Sequence, residues 1–186
     1  MNDKLKSLFE ISNSKNHLDT RGIARLHIDE GHMLYQYAKN IENGVILEIG
    51  RLFGGSTIIM GEAAKENNTK IISVDIVDNL PINSVIWLNK LNVDIRVCDS
   101  WKMDCEPNDM LFIDGDHSYE AVKKDFTHHW NSLKDDGVCL AHDYGIEETY
   151  RCIGVTRFID EWVNEGFAKV IDKTRSMIAL QKIKNY

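Results

Sequence analysis

Two hydrophobic periods alternate along the chain. Short apolar runs, many of them β-branched, recur at Val45–Ile49, Lys70–Val74, Val93–Val97, Met110–Ile113, Val138–Ala141, Phe167–Ile171 and Met177–Leu180. Runs of this length and composition are what strands buried on both faces require. Between them the apolar positions recur at helical spacing. One helix is predicted over about Asp29 to Asn40, with Met33, Leu34, Tyr37 and Ala38 inward, and another opens at Ser56-Thr57. A third starts near Pro81 within Asn79 to Leu91 and turns Ile82, Val85, Ile86 and Leu88 to the core. A fourth spans Tyr119 to Leu133, with Ala121, Val122, Phe126 and Trp130 inward and His128 and His129 on its surface, ended by Asp135-Asp136-Gly137. A fifth carries Val155, Phe158, Ile159 and Trp162 and ends near Gly166. A short amphipathic helix over Asp3 to Ile11 and a polar loop through Asp19 precede all of these. Strands alternating with helices in this way predict an α/β fold with a doubly wound, mostly parallel sheet and helices on both faces.

The first strand runs directly into a glycine turn, GVILEIGRLFGGS at Gly44 to Ser56. Gly50, Gly54 and Gly55 permit backbone conformations and approaches that a Cβ would forbid. In an open α/β sheet such a turn lies at the carboxyl ends of the strands, where ligands bind, and the following helix offers free N–H groups to an anion. The spacing is Glu48-x-Gly50-x-x-x-Gly54, and the dinucleotide pattern G-x-G-x-x-G is absent. The second strand ends in Asp75, about 20 positions beyond the turn, where a carboxylate in nucleotide-type folds accepts hydrogen bonds from ribose hydroxyls. Trp87 either flanks the ligand or packs. The fourth strand delivers Asp114-Gly115-Asp116-His117, and the fifth ends in His142-Asp143. Three ionisable side chains within four residues at the end of a buried strand are expensive unless they face a cleft.

Length and composition narrow the reading. At 186 residues, 43% hydrophobic and 27% charged, the chain fits one globular domain, with residues 1–43 as a helical cover and 44–186 as the core. A net charge of -7 disfavours a nucleic-acid partner and leaves a small-molecule substrate. No apolar run approaches a membrane span and the opening lacks a signal-peptide core, so a cytoplasmic address is expected. Cys98, Cys105, Cys139 and Cys152 show no C-x-x-C spacing and read as free thiols. His17, His27 and His32 have no metal-like spacing and read as solvated or capping groups. Monomer and homo-oligomer both stay open.

The Glu48-x-Gly50-x-x-x-Gly54 turn resembles the first motif of the class I S-adenosylmethionine-dependent methyltransferases. The block IDGDHSYEAVKKD, from Ile113, resembles the small-molecule O-methyltransferases that act on macrolide sugars and, more distantly, catechol O-methyltransferase. The resemblance runs from about Gly44 to Trp162. It implies a Rossmann-like seven-stranded sheet whose last strand returns antiparallel between its neighbours. It also implies S-adenosylmethionine as cofactor, with the methionine end on Glu48, Gly50, Gly54 and Ser56, the ribose on Asp75, and Asp99, Ser100 and Asp114 bordering the rest. For Asp99 and Ser100 a plain turn with an N-cap is the alternative.

Methyl transfer from a sulfonium is an in-line displacement, so the protein has to align donor and acceptor and manage the acceptor's proton. Asp114, His117, His142 and Asp143 are the candidates for that work. In the metal-dependent relatives an acid sits at the position of Asp114 and an acid or amide pair at His142-Asp143. A divalent cation on Asp114, His142 and Asp143 would lower the pKa of the acceptor hydroxyl. Imidazole is a poor partner for Mg²⁺, so His142 leaves two alternatives: Mn²⁺ or another transition ion, or no metal and His142 or His117 as general base. Asp116 and His117 can also be read as caps of the next helix. An NAD-type oxidoreductase, a cofactor-binding protein without catalysis and a metal-dependent hydroxylase component are the rival functions. Substrate determinants are expected before Gly44 and in the loop Gly145 to Gly154.

Overall fold

The computed structural model describes Lys6, residues 23–146 and residues 153–186. Apart from Lys6, the helix expected over Asp3–Ile11 and the loop after it, with His17, lie outside the described residues, as do Cys152 and most of the loop Gly145 to Gly154. The strands are β1 Val45–Ile49, β2 Lys70–Asp75, β3 Val93–Val97, β4 Asn108–Ile113, β5 Leu133–Ala141, β6 Ala168–Thr174 and β7 Met177–Lys182. The helices are α1 Ile28–Lys39, α2 Gly55–Ala63, α3 Ile82–Leu88, α4 Tyr119–His129 and α5 Ile153–Asn164, with single 3-10 turns at Ser100–Lys102 and Trp130–Ser132.

The seven strands form one sheet in the order β3-β2-β1-β4-β5-β7-β6. β1 pairs in parallel with β2 and β4, while β7 lies antiparallel to both β5 and β6. This is a Rossmann-like sheet with one reversed strand. The chain reverses direction of travel across the sheet between β1 and β4, and in open α/β sheets that switch point opens a crevice at the strands' carboxyl ends.

The central strands send alternate residues to two cores, as a period of two demands. Ile46, Ile71, Met110, Phe112 and Leu140 pack under α1 and α2 with Leu34, Ile58 and Ile59. Leu47, Ile72, Leu111 and Ile113 pack under α4 and α5 with Phe126, Trp130, Phe158 and Trp162. The four inward positions expected of the fifth helix are all buried.

Three local expectations need correction, and the alternative left open for Trp87 is resolved. α3 is shorter than predicted, and Ile82 and Ile86 are 70% and 51% exposed, because Ser84 and Leu88 make its inner face. Trp87 donates to Glu62 Oε1 (2.6 Å), so it packs against α2 rather than flanking the crevice. Asp135-Asp136-Gly137 does not follow a long helix. It lies inside β5 as a bulge, with Asp136 at φ 63°, where the pairing with β4 jumps from Asn108–Leu133 to Met110–Val138. His129 is not on the surface: it is fully buried at the end of α4, and burial, helped by neighbouring His128, pushes its imidazole down to about 4.

Candidate active site

A cleft of about 740 Å³ opens along the carboxyl ends of β1 to β5. Its floor begins with the glycine turn. Gly50 has φ +85°, and a Cβ there would lie 2.2 Å from the carbonyl oxygen of Asp114, so the turns after β1 and β4 can be this close only with glycine. A Cβ on Gly55 would lie 2.3 Å from Ala24 Cα, and this contact seats residues 23–25 along the cleft. Within α2 the first accepted N–H is that of Ile58, bonded to Gly54. Those of Gly55, Ser56 and Thr57 precede the helical ladder, the arrangement that receives an anionic group.

Two residues expected to touch a ligand here do not line the cleft. Glu48 is fully buried beneath the turn, where its carboxylate accepts from Ser56 Oγ, Thr57 Oγ1 and Ser73 Oγ, each at 2.5 Å. Burial outweighs these hydroxyls and pushes the carboxyl up to about 7. Glu48 therefore fixes the start of α2 to β2 from below. Gly54, at φ +79°, faces the side chains of Leu80 and Leu88 and serves as the N-cap of α2. Ser56 does line the cleft, with its hydroxyl committed to Glu48.

At one end of the cleft lie Asp75, Asp99 and Ser100. Asp75 Oδ2 accepts the N–H groups of Arg51 (3.0 Å) and Leu52 (2.9 Å), and Oδ1 accepts that of Val77 (3.0 Å). It latches the glycine turn, and Oδ1 keeps a lone pair for a further donor. Asp99 pairs with Lys102, while Ser100 Oγ donates to Asp125, a buried cleft residue of α4 whose carboxyl burial pushes up. Arg51 escaped the sequence reading. Only 2% exposed, it passes under the turn and donates through Nη1 to the carbonyls of Arg96 (2.8 Å) and Ser73 (3.3 Å). Its Nε and Nη2 have no hydrogen-bond partner among the described residues, and it borders the cleft. No motif marks it, since it occupies a variable position between the glycines.

The far end is a cluster of carboxylates and imidazoles. β4 ends at Asp114 and β5 at His142-Asp143, where Asp143 takes the left-handed conformation (φ 61°) tolerated by aspartate. His142 Nδ1 lies 3.2 Å from Asp114 Oδ1 and 3.6 Å from Asp143 Oδ1. His117 bridges the same acids, with Nε2 3.5 Å from Asp114 Oδ1 and Nδ1 3.1 Å from Asp143 Oδ2. The helix cap is Ser118, which accepts from Ala121, while Asp116 accepts the N–H of Ser118. His117 is thus part of the cluster and not a cap.

Behind His142 stands Glu30 of α1, which the sequence presents only as an ordinary acid in a first helical turn. Its Oε2 lies 3.3 Å from His142 Nε2 and accepts the N–H of His27, the helix N-cap, at 2.8 Å. Its Oε1 accepts both the N–H and hydroxyl of Ser176. Burial would raise both Glu30 and Asp114, but the facing imidazoles override it and hold each carboxyl at about 2. Burial would lower His142, but Asp114 and Glu30 raise it well above its ordinary value. His117 is raised through its bond to Asp114.

Asp114, His142 and Asp143 offer ligand atoms within 4.8 Å of one another. Glu30 holds His142 from its other nitrogen, as carboxylates commonly hold a ligating imidazole. Two carboxylates and an oriented imidazole fit a divalent cation.

A glycine turn opening a helix and acids gathered at the switch point of a doubly wound sheet define an α/β enzyme of the nucleotide-cofactor kind. A family model described as a methyltransferase domain matches residues 47–144, more than half of the chain, and the chain belongs to that methyltransferase family. No curated protein matches the sequence. Among solved structures, it is similar to the O-methyltransferase TomG of Streptomyces achromogenes, involved in tomaymycin synthesis and solved in complex with SAM. The two are 16% identical, with a TM-score of 0.69, over 100% of this chain and 91% of that one. The O-methyltransferase of Bacillus cereus in complex with SAH is 16% identical, with a TM-score of 0.68, over 98% and 92%. The SAH-bound methyltransferase PaMTH1 of Podospora anserina is 14% identical, with a TM-score of 0.69, over 99% and 89%. At these identities the likeness is one of fold.

Proposed function

We propose that the chain transfers a methyl group from S-adenosylmethionine to a hydroxyl oxygen of a small molecule. One observation carries this reading: a single cleft joins Asp75, the glycine turn and the Asp114–His142–Asp143 cluster. The SAM- and SAH-bound neighbours of the same fold support it. The ribose would lie on Asp75, the methionine carboxylate at the leading N–H groups of α2, and the adenine beside Asp99 and Ser100. The acceptor then meets the methyl at the far end.

Reaction requires alignment and removal of the acceptor's proton. Asp114 and Asp143 turn their carboxylates toward the place where that proton leaves, and Glu30 and His117 fix them and His142 in orientation. A divalent cation on Asp114, Asp143 and His142 would supply Lewis acidity that lowers the pKa of the acceptor hydroxyl. The imidazole favours Mn²⁺ or another transition ion over Mg²⁺. A metal-free general base, His142 or His117, is the alternative, and the flanking acids raise both imidazoles above their ordinary value.

No helix among the described residues is long and apolar enough to cross a membrane. Cys98, Cys105 and Cys139 are free thiols, which suits a cytoplasmic setting. Calorimetry tests the cofactor: S-adenosylmethionine or S-adenosylhomocysteine should bind the full chain one-to-one and NAD should not. Binding of NAD alone would replace this reading with the oxidoreductase.

A further inference from the structure

A second group of ligand-bearing side chains lies behind the cleft wall. Cys105, in the connection from β3 to β4, and His128 and His129, which end α4, offer ligand atoms within 4.8 Å of one another. The two rings stand edge to face, centroids 4.6 Å apart. Each is pinned by a backbone carbonyl: His128 Nε2 lies 3.0 Å from Met103 O, and His129 Nε2 lies 3.1 Å from Ser100 O. A carbonyl only accepts, so the proton of each neutral ring sits on Nε2 and the lone pair on Nδ1. Ligating imidazoles are held in this way, one nitrogen donating to a carbonyl and the other turned to the ion.

His129 adds an independent observation. The residue is fully buried, and its Nδ1 has no hydrogen-bond partner among the described residues. A buried orphan acceptor in a well-packed protein calls for an explanation, and an unfilled ligand position is one. Cys105 is exposed, and among the described residues its thiol donates to His128 O, so the group can be entered from solvent.

We propose that Cys105, His128 and His129 bind Zn²⁺ or a similar transition dication at a site separate from the Asp114 cluster. One thiolate and two imidazoles select such ions over Mg²⁺ and Ca²⁺. On binding, the Cys105 thiol loses its proton to solvent and its sulfur bonds the metal, with water completing the coordination. The ion clamps the β3–β4 connection, which carries Asp99, Ser100 and Trp101 of the cleft wall, to the end of α4. The ligand sphere lies outside the cleft, so the proposal does not depend on the identity of the cofactor.

Co²⁺ titrated into the reduced full chain tests it, because a thiolate ligand gives a sulfur-to-cobalt charge-transfer band that the oxygen and nitrogen ligands of the Asp114 cluster cannot. The band should saturate at one equivalent in Asp143→Ala, where the Asp114 cluster has lost a ligand, yield to Zn²⁺, be present in the parent protein as well and vanish in Cys105→Ser. In His128→Ala, at a partly exposed ring, cobalt affinity should fall at least about tenfold. That variant decides the matter if Cys105→Ser fails to fold. No band in the parent protein, or a band that neither substitution changes, would overturn the site.

Discussion

Glu48 and Glu30 are the same side chain at the same burial, each with no solvent exposure, and they are driven in opposite directions. Glu48 sits under the glycine turn among three neutral hydroxyls, and burial pushes it up to about 7. Glu30 sits behind the Asp114 cluster against an imidazole, a serine and a backbone N–H, and is held at about 2. Burial alone decides neither. A neutral shell lets desolvation win, while a facing cation reverses it. The glycine turn is accordingly underlain by a neutral shell, and the positive features beside it are N–H groups and the buried Arg51. The far end is a charged lattice of carboxylates and imidazoles whose ligand atoms lie close enough to hold a cation.

The largest effect should come from the charged half. EDTA should abolish turnover and leave S-adenosylmethionine affinity largely intact, which a methyl-transfer assay beside calorimetry will read. Asp143→Ala should lower kcat/KM by at least about a hundredfold, on the order of 3 kcal/mol, even with metal in excess. Glu30→Gln keeps every proposed ligand but removes the charge behind His142, and should cost about tenfold, partly recovered by added metal. Full activity in the chelator would remove the cation from the mechanism and return the proton to His142 or His117.

The neutral shell around Glu48 breaks differently. Glu48 has its folded pKa raised from 4.5 to about 7, so the folded state keeps a proton that the unfolded chain releases across that window. The associated stabilisation is present in full below 4.5 and is lost as pH rises to about 7, amounting to about 3 kcal/mol. Denaturant unfolding across that range should show this fall in the parent protein and a flatter profile in Glu48→Gln. An unchanged slope in Glu48→Gln would mean that the carboxylate is ionised throughout, and the contrast with Glu30 would collapse.

How much of this was legible follows from which interactions are local. The strand–turn–helix at Val45 to Ala63 and the acids ending β4 and β5 could be read because each depends on neighbours in sequence. Asp114, His142 and Asp143 do converge, as adjacent parallel strands require. Glu30 could not be read, since its partner His142 is 112 residues away and only the topology joins them. Glu48 was visible as the acid of a motif, yet its position below the turn depends on Ser73 of the next strand. His129 lies three residues past Phe126 and seven past Val122, so the helical period sets it inward and only its polar type suggests the surface, while Ile86 is exposed because the short α3 turns Ser84 and Leu88 inward. The residues outside the described region include most of those expected to choose the substrate.

The smallest expected effect is the one that locates the ribose. Asp75 already accepts three backbone N–H groups, two of them from the glycine turn, so Asp75→Ala removes a latch as well as a ligand contact. A lost charge-assisted hydrogen bond to the ribose is worth roughly 1.5 to 3 kcal/mol, so affinity for S-adenosylmethionine should fall about tenfold or more. Loosening of the turn could weaken binding too, and a second ligand separates the causes. An analogue lacking the ribose hydroxyls should bind the parent protein worse than S-adenosylmethionine by about the same factor. Asp75→Ala should bind the two almost equally, because the group that told them apart is gone. If the variant still discriminates between them as the parent does, the hydroxyls are held elsewhere in the cleft and Asp75 acts only as the latch of the turn.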